Sequence, residues 1–257
     1  MTLSVVVITH NEEHNIGRLL ESVNWADECI VLDSGSTDRT VEVARSLGAK
    51  VYCEPWKGYA PQKNSAIEKA CGDWILALDA DEAVEPELMA EIRYAIDRNP
   101  PAQGFRIPFK HFFLGRWMRH GGYYPDRKLR LFRRGQGRFG ERPVHESVQV
   151  NGPVATLSHA ILHYGYPSLE GYIRSMNRYS SLGAEIVLDA GRRRFSVINV
   201  FLRPLVTFLY NYVFRLGFLD GREGLLLHLY HAAYVSWKYA KAWELGKRCE
   251  DPQQEKG

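Results

Sequence analysis

The chain has 257 residues, 45% of them hydrophobic and 25% charged, enough to bury a full core in one large domain and too apolar for a disordered or low-complexity protein. Its formal net charge is only +3, which excludes a general polyanion binder and makes nucleic acid an unexpected partner. The charge is unevenly placed. Residues 106–142 carry many Arg and Lys but only Asp126 and Glu141 as acids, bases again outnumber acids over residues 192–248, and residues 1–100 are acidic by comparison. That asymmetry points to an anionic substrate or membrane surface facing the later segments.

The elements follow in chain order. Residues 3–10 (L-S-V-V-V-I-T-H) are a β-branched strand, and Asn11-Glu12-Glu13 caps a helix to about Ser22. Residues 28–33 (E-C-I-V-L-D) form a second strand ending in Asp33; Ser36 or Thr37 can cap the helix that runs to Leu47. A short strand at 49–53, a helix at 62–70, a strand at 74–80 and a helix opened by Pro86 complete the pattern. Strands alternating with helices predict an α/β fold with a doubly wound, mostly parallel sheet. Asn99-Pro100-Pro101 breaks the pattern, and residues 104–139 read as shorter strands and loops. Residues 176–188 and 197–242 read as helices, and 251–257 as a frayed tail. The division expected is therefore a main domain over 1–190, itself in halves 1–100 and 101–190, followed by an amphipathic helical region over 191–250.

Cys29, Cys53, Cys71 and Cys249 form no C-x-x-C pair and no zinc spacing, which suits free thiols in a reducing cytosol. Residues 1–10 lack a basic n-region, and the nearest candidate for a spanning helix, 195–214, is interrupted by Arg203-Pro204. The expected location is cytoplasmic, with peripheral contact to the inner face of the cell membrane.

The segment W-I-L-A-L-D-A-D-E, residues 74–82, ends a buried strand in Asp79 and Asp81. Ligands of open α/β sheets gather beyond the carboxyl ends of the strands. Two hard oxygen ligands there suit Mg²⁺ or Mn²⁺ carrying substrate phosphates, and helix capping is the alternative role. Asp33 ends its strand in the same way and can accept from a ribose hydroxyl or a base N–H, or cap its own turn. A G-x-G-x-x-G after the first strand and a G-x-x-x-x-G-K-[ST] are both absent, which disfavours a dinucleotide site and excludes a Walker phosphate loop.

The ordered set V-V-V-I-T-H-N-E-E, V-L-D-S-G-S-T-D-R-T, Q-K-N-x-A at 62–66 and W-I-L-A-L-D-A-D-E resembles the family-2 glycosyltransferases over roughly the first hundred residues. More loosely, G-G-Y-Y-P-D-R-K-L-R-L-F-R-R and R-P-V-H-E look like the subgroup of lipopolysaccharide inner-core β-glucosyltransferases. The resemblance implies a GT-A fold and inverting transfer from a nucleotide-activated sugar to a glycan or glycolipid acceptor. It sets Thr9 and Glu12 against the nucleoside, Asp33 on the uracil ring, Lys63 and Asn64 near the nucleotide, Asp79 near ribose and metal, and Asp81 as principal ligand of Mn²⁺ or Mg²⁺.

Inversion requires a base for the acceptor hydroxyl. Glu146, flanked by Val144 and Val148, is the first candidate and Asp126 the second, although Glu146 could equally pair with a neighbouring arginine. His145 could orient Glu146 or contact phosphate. Arg127 and Arg130 are candidates for bidentate contacts to phosphate, or simply basic residues of a solvated strand edge. His159 and His163 are spaced i, i+4, but no H-E-x-x-H glutamate accompanies them, and the segment could be a strand.

Residues 197–218 and 224–243 mix aromatic and aliphatic side chains with Arg203, Arg215, Arg222, Lys238 and Lys241. Such helices can lie in an anionic membrane interface, or pack on the catalytic domain or a second subunit. A haloacid-dehalogenase-like phosphohydrolase shares a D-x-D after an apolar strand, but there the motif opens the fold, whereas three strands precede it here. A non-catalytic membrane- or partner-binding protein on a glycosyltransferase scaffold is the other rival.

Overall fold

The computed structural model describes residues 1–140, 147–191 and 194–250. Its elements are β1 (Leu3–Thr9), α1 (Ile16–Ser22), β2 (Glu28–Asp33), α2 (Thr40–Ser46), β3 (Lys50–Cys53), α3 (Tyr59–Glu68), β4 (Trp74–Asp79), β5 (Glu82–Val84), α4 (Pro86–Asp97), β6 (Gly104–Phe113), β7 (Arg116–Trp117), β8 (Asp126–Arg133), β9 (Gly137–Phe139), β10 (Val148–Val150), β11 (Val154–Thr156), β12 (Ile161–Tyr166) and α5 (Leu169–Asp189). A π-helical turn (Ile198–Leu202), α6 (Arg203–Leu209), a second π-helical turn (Tyr210–Phe214), a 3₁₀ turn (Gly217–Asp220) and α7 (Gly221–Glu250) complete the chain. Two compact units result: Met1–Lys110 with Pro125–Gly165, and His111–Tyr124 with Tyr166–Gly257. The chain passes from the first unit to the second between Gly165 and Tyr166, before α5 begins, so that α5 lies in the second unit.

In the first unit β3, β2, β1 and β4 lie side by side and parallel, as the strand–helix alternation predicts. Every residue of β1 except Ile8 is buried, because the strand carries apolar side chains on both faces and both are covered. Leu3, Val5 and Val7 pack with Leu19, Leu88 and Ile92 on one face, and Val6 packs with Ala60, Ala66 and Ile75 on the other. Beyond β4 the sheet turns antiparallel through β8 and β6. The short β5, absent from the sequence reading, pairs antiparallel with β12. Residues 161–166 are therefore strand, which settles the ambiguity of the His159/His163 segment.

The register brings the chemistry to one edge. Thr9 pairs with Asp33, and Ile8 pairs with Asp79, so three strands end together where the sequence placed the site.

The second unit is built on α5 and α7, with Phe113, Met118, Tyr172, Met176 and Leu227 at its core. Asp220, 2% exposed, accepts from the backbone N–H groups of Arg119 and His120 and meets His120 Nδ1 at 2.8 Å. It thereby pins the R-H-G-G loop. Gly121 and Gly122 there have φ of 66° and 89°, and any side chain would overlap His228 or Arg215 respectively.

His228 is 2% exposed, and neither ring nitrogen has a partner among the described residues. Burial, helped by His231, pushes its pKa down to about 4. In the unfolded chain an imidazole takes up its proton near 6.5, so between these values the unfolded state holds more protons. Stability from this group is therefore full above about pH 6.5 and is lost as pH falls towards about 4, by about 3 kcal/mol. Urea unfolding across that range should show the decline, and His228→Asn should flatten it.

Cys29, Cys53 and Cys71 are free thiols, Cys29 with its pKa raised to about 12 by burial.

Candidate active site

The loops after β1 and β2 are laced together. Asn11, held at φ 56°, accepts from Thr37 N–H through Oδ1 (2.8 Å), and its own N–H donates to Ser36 Oγ. Glu12 N–H donates to Thr40 Oγ1 and Glu13 N–H to Asp38. Asp38 also accepts from Thr40 N–H at the start of α2, the capping role that the sequence reading gave to Ser36 or Thr37. Asp33 is 1% exposed, and its carboxylate accepts from Gly35 N–H, Ser36 N–H, Ser36 Oγ and Thr9 Oγ1. In this geometry Asp33 shapes its own turn, and Thr9 is the residue that braces it.

Asp79 stands between two cations. Its Oδ1 meets Lys63 Nζ at 2.7 Å and its Oδ2 meets Arg130 Nη2 at 2.8 Å. The same guanidinium nitrogen reaches Glu82 at 2.8 Å, and Glu82 accepts from Asp79 N–H. Burial alone would raise the Asp79 pKa, but Lys63 and Arg130 outweigh it and hold the carboxyl well below its usual range. Glu82, 1% exposed, has the opposite balance: burial dominates and raises it to about 7. Arg130 is thus committed to carboxylates of its own unit.

Asp81 lies outside this knot. Its Oδ2 faces His163 Nε2 at 3.3 Å, and its carbonyl accepts from Tyr164 N–H. Burial disfavours a charged His163 ring, but the Asp81 hydrogen bond and the charges of Asp81 and Glu82 prevail and raise its pKa. His163 arrives there as the cross-strand partner of Glu82 in the β5–β12 pair. Gly165 keeps the spot open, since a Cβ there would lie 2.7 Å from the imidazole and 3.5 Å from Asp81 Oδ2. Tyr164, stacked under the Arg18 guanidinium at 4.0 Å, borders the same edge. Glu12 has a raised pKa, first through burial and then through the fields of Asp81, Asp38 and Asp79, against a hydrogen bond from Asn15.

One carboxylate oxygen and one imidazole nitrogen form a donor pair that can contribute to a mixed oxygen–nitrogen site for a divalent cation such as Mn²⁺. Among the described residues no group of three or more His, Cys, Asp or Glu gathers at one point. A cation at Asp81 and His163 therefore needs oxygens from a substrate or water, which is how Mg²⁺ and Mn²⁺ usually hold phosphates. The residues present fit such an ion. His159 instead pairs with Glu91 at 3.0 Å, so the two histidines do not share a metal.

Asn64 is buried, and its amide both donates to and accepts from the backbone of Phe139, an anchoring role. Arg127 is exposed on β8. Asp126 starts β8, is partly exposed and pairs with Lys128 at 3.2 Å. Because β8 runs antiparallel to β4, its first residues lie towards the edge where β4 ends. Glu146 and His145 lie outside the described residues.

The model for the family described as glycosyl transferase family 2 matches residues 4–151. LpsC of Rhizobium meliloti, named a lipopolysaccharide core biosynthesis glycosyltransferase, is 32% identical to this chain over 261 residues, covering 95% of this chain and 93% of its own. This chain belongs to glycosyl transferase family 2. The uncharacterized glycosyltransferase RT0209 of Rickettsia typhi is 31% identical to it, covering 97% of this chain and 89% of its own. Among solved structures, TarS 1-349 of S. aureus aligns with 98% of this glycosyltransferase and 92% of its own chain at 16% identity and a TM-score of 0.49. The sheet agrees with the GT-A architecture implied by the motifs: the parallel β3-β2-β1-β4 half presents the D-x-D of this glycosyltransferase at its carboxyl edge.

Sequence reasoning missed Glu82 and His163. Glu82 was visible as the residue after D-A-D, and an acid so close to an apolar strand was its only signal. His163 was visible only as half of a misleading i, i+4 pair.

Proposed function

We propose that this glycosyltransferase moves a sugar, glucose in the first instance, from a UDP-sugar to a hydroxyl of a lipopolysaccharide-core or other surface-glycan acceptor, with inversion and with a divalent metal. The observation that carries the reading is Asp81, left facing His163 at the sheet edge while Asp79 is consumed by Lys63 and Arg130. The similarity to LpsC supports the acceptor class.

The uracil preference rests on the motif resemblance around Asp33. Asp33 acts there by shaping the loop rather than by direct acceptance, since its oxygens are already engaged. Ser34 Oγ and Gln62 Nε2 are buried without a partner among the described residues, polar atoms that a bound nucleoside can satisfy. Asp81 and His163 would hold a divalent cation, which would supply charge neutralisation for the departing diphosphate. The bond from the anomeric carbon to the diphosphate breaks with its electron pair leaving on UDP, while the acceptor oxygen bonds to the opposite face. The hydroxyl proton passes to a carboxylate, Glu146 first and Asp126 second. Arg127, exposed on β8, is the candidate for an acceptor phosphate.

Thermal stabilisation against UDP-, GDP- and ADP-sugars, each with Mn²⁺, Mg²⁺ or EDTA, tests the donor. A metal-dependent rise with one UDP-sugar is the expected result, and no rise with any nucleotide would refute the reading. In the same assay Glu146→Gln should keep the rise yet lose transfer; transfer near the normal rate assigns the base to Asp126.

A further inference from the structure

Residues 195–219 of the second unit display an apolar face that a water-soluble surface does not explain. Ile198, Leu202, Val206, Tyr210 and Phe214 are 64%, 48%, 55%, 52% and 76% exposed, and the residue preceding each is also an exposed apolar side chain. A spacing of four exceeds the ~3.6-residue α-helical turn, so such a stripe would wind around a regular helix. Here π-helical turns at Ile198–Leu202 and Tyr210–Phe214 alternate with α6 and take up the difference, because their wider turns re-phase the stripe. The opposite side is tied to α7 by Ser236 Oγ donating to Val200 O, by Arg203 with the Tyr239 hydroxyl, and by Phe195 against Trp243. The exposed stripe is thus a constructed face and not a frayed end.

Charge identifies what covers it. Between residues 191 and 222 the chain carries six arginines and a single acid, Asp220, which is buried against His120. Arg194, Arg215 and Arg222 are exposed along this stretch, whereas Arg203 is engaged with Tyr239. A second copy docking by this same face would offer these arginines no exposed acid, since Asp220, the one acid of 191–222, is buried. An anionic lipid surface instead meets the arginines with headgroup phosphates and the stripe with acyl chains. No helix among the described residues is long and apolar enough to cross a membrane, so the contact is interfacial.

We infer that residues 195–219 seat this protein on an anionic phospholipid bilayer, Ile198 to Phe214 entering the acyl boundary and the arginines lying at the headgroups. The inference is independent of the sugar-transfer reading. Its test is sedimentation of the full chain with phosphatidylcholine vesicles, alone or with about a third phosphatidylglycerol, over a salt series, alongside light scattering of the free protein. The expected result is binding that requires phosphatidylglycerol and weakens with salt, and a bound fraction about tenfold lower for Phe201→Asp/Phe214→Asp. Both side chains are more than two-thirds exposed, so this variant should melt with the wild type; the lipid and salt dependence of the wild type needs no variant. Failure to sediment with either vesicle, equal sedimentation of the variant, or a dimer that the two aspartates dissolve without any vesicle binding would each overturn it.

Discussion

Asp81→Ala should lower sugar transfer by about 10³-fold while leaving the fold intact, since several kcal/mol of charge stabilisation at the leaving group correspond to that factor. The geometry separates the two effects. The Asp81 side chain contacts His163 at the sheet edge and takes no part in the Lys63–Asp79–Arg130–Glu82 knot. Removing it therefore unties nothing in the core. The checks are initial rates with the UDP-sugar identified by thermal shift, and melting temperature without ligand. Donor stabilisation in Mn²⁺ should fall to the value in EDTA. Full activity in the variant would move the metal role elsewhere; a collapsed melting temperature would make Asp81 structural.

Arg130→Met should produce the complementary result, a loss of about 3 kcal/mol in folding stability. The guanidinium is the shared partner of Asp79 and Glu82, and its side chain is 8% exposed. Methionine keeps much of the packing but leaves the carboxylates with one cation fewer. Glu82, whose pKa is already raised to about 7, can answer by holding its proton. Asp79 keeps Lys63. Both responses put the cost at the low end for a broken buried pair. Glu82→Gln added to Arg130→Met should restore part of the stability, because one of the stranded charges is then gone. Urea unfolding midpoints measure both. A stable variant that has lost only donor binding would show that Arg130 serves the diphosphate instead.

The parallel half was legible because its signals are local. Unbroken apolar runs such as V-V-V-I-T and W-I-L-A-L mark strands buried on both faces, and each ends in Thr9, Asp33 or Asp79, placing those residues at the carboxyl edge. The antiparallel half was less legible. Residues 82–84 are a three-residue strand, shorter than any periodicity can report. Residues 161–166 read equally as helix or strand until their pairing is known. The compact units are likewise not a local property of the chain. Residues 111–124 belong with the carboxyl-terminal helices through Asp220, a contact across 100 positions of chain.

By itself the sequence determined the family, the α/β sheet, the edge that carries the D-x-D motif and the basic, apolar character of the carboxyl-terminal helices, all properties of short segments. Tertiary structure alone decided how the charges are divided. It gave Asp79 to Lys63 and Arg130, left Asp81 to His163, closed Asp33 upon its own turn and turned the apolar residues of 195–219 to one exposed side. The physical reason is that a carboxylate's role depends on which cation lies within hydrogen-bonding reach and how much water remains. Both are set by strand pairing between distant segments, which no local pattern encodes.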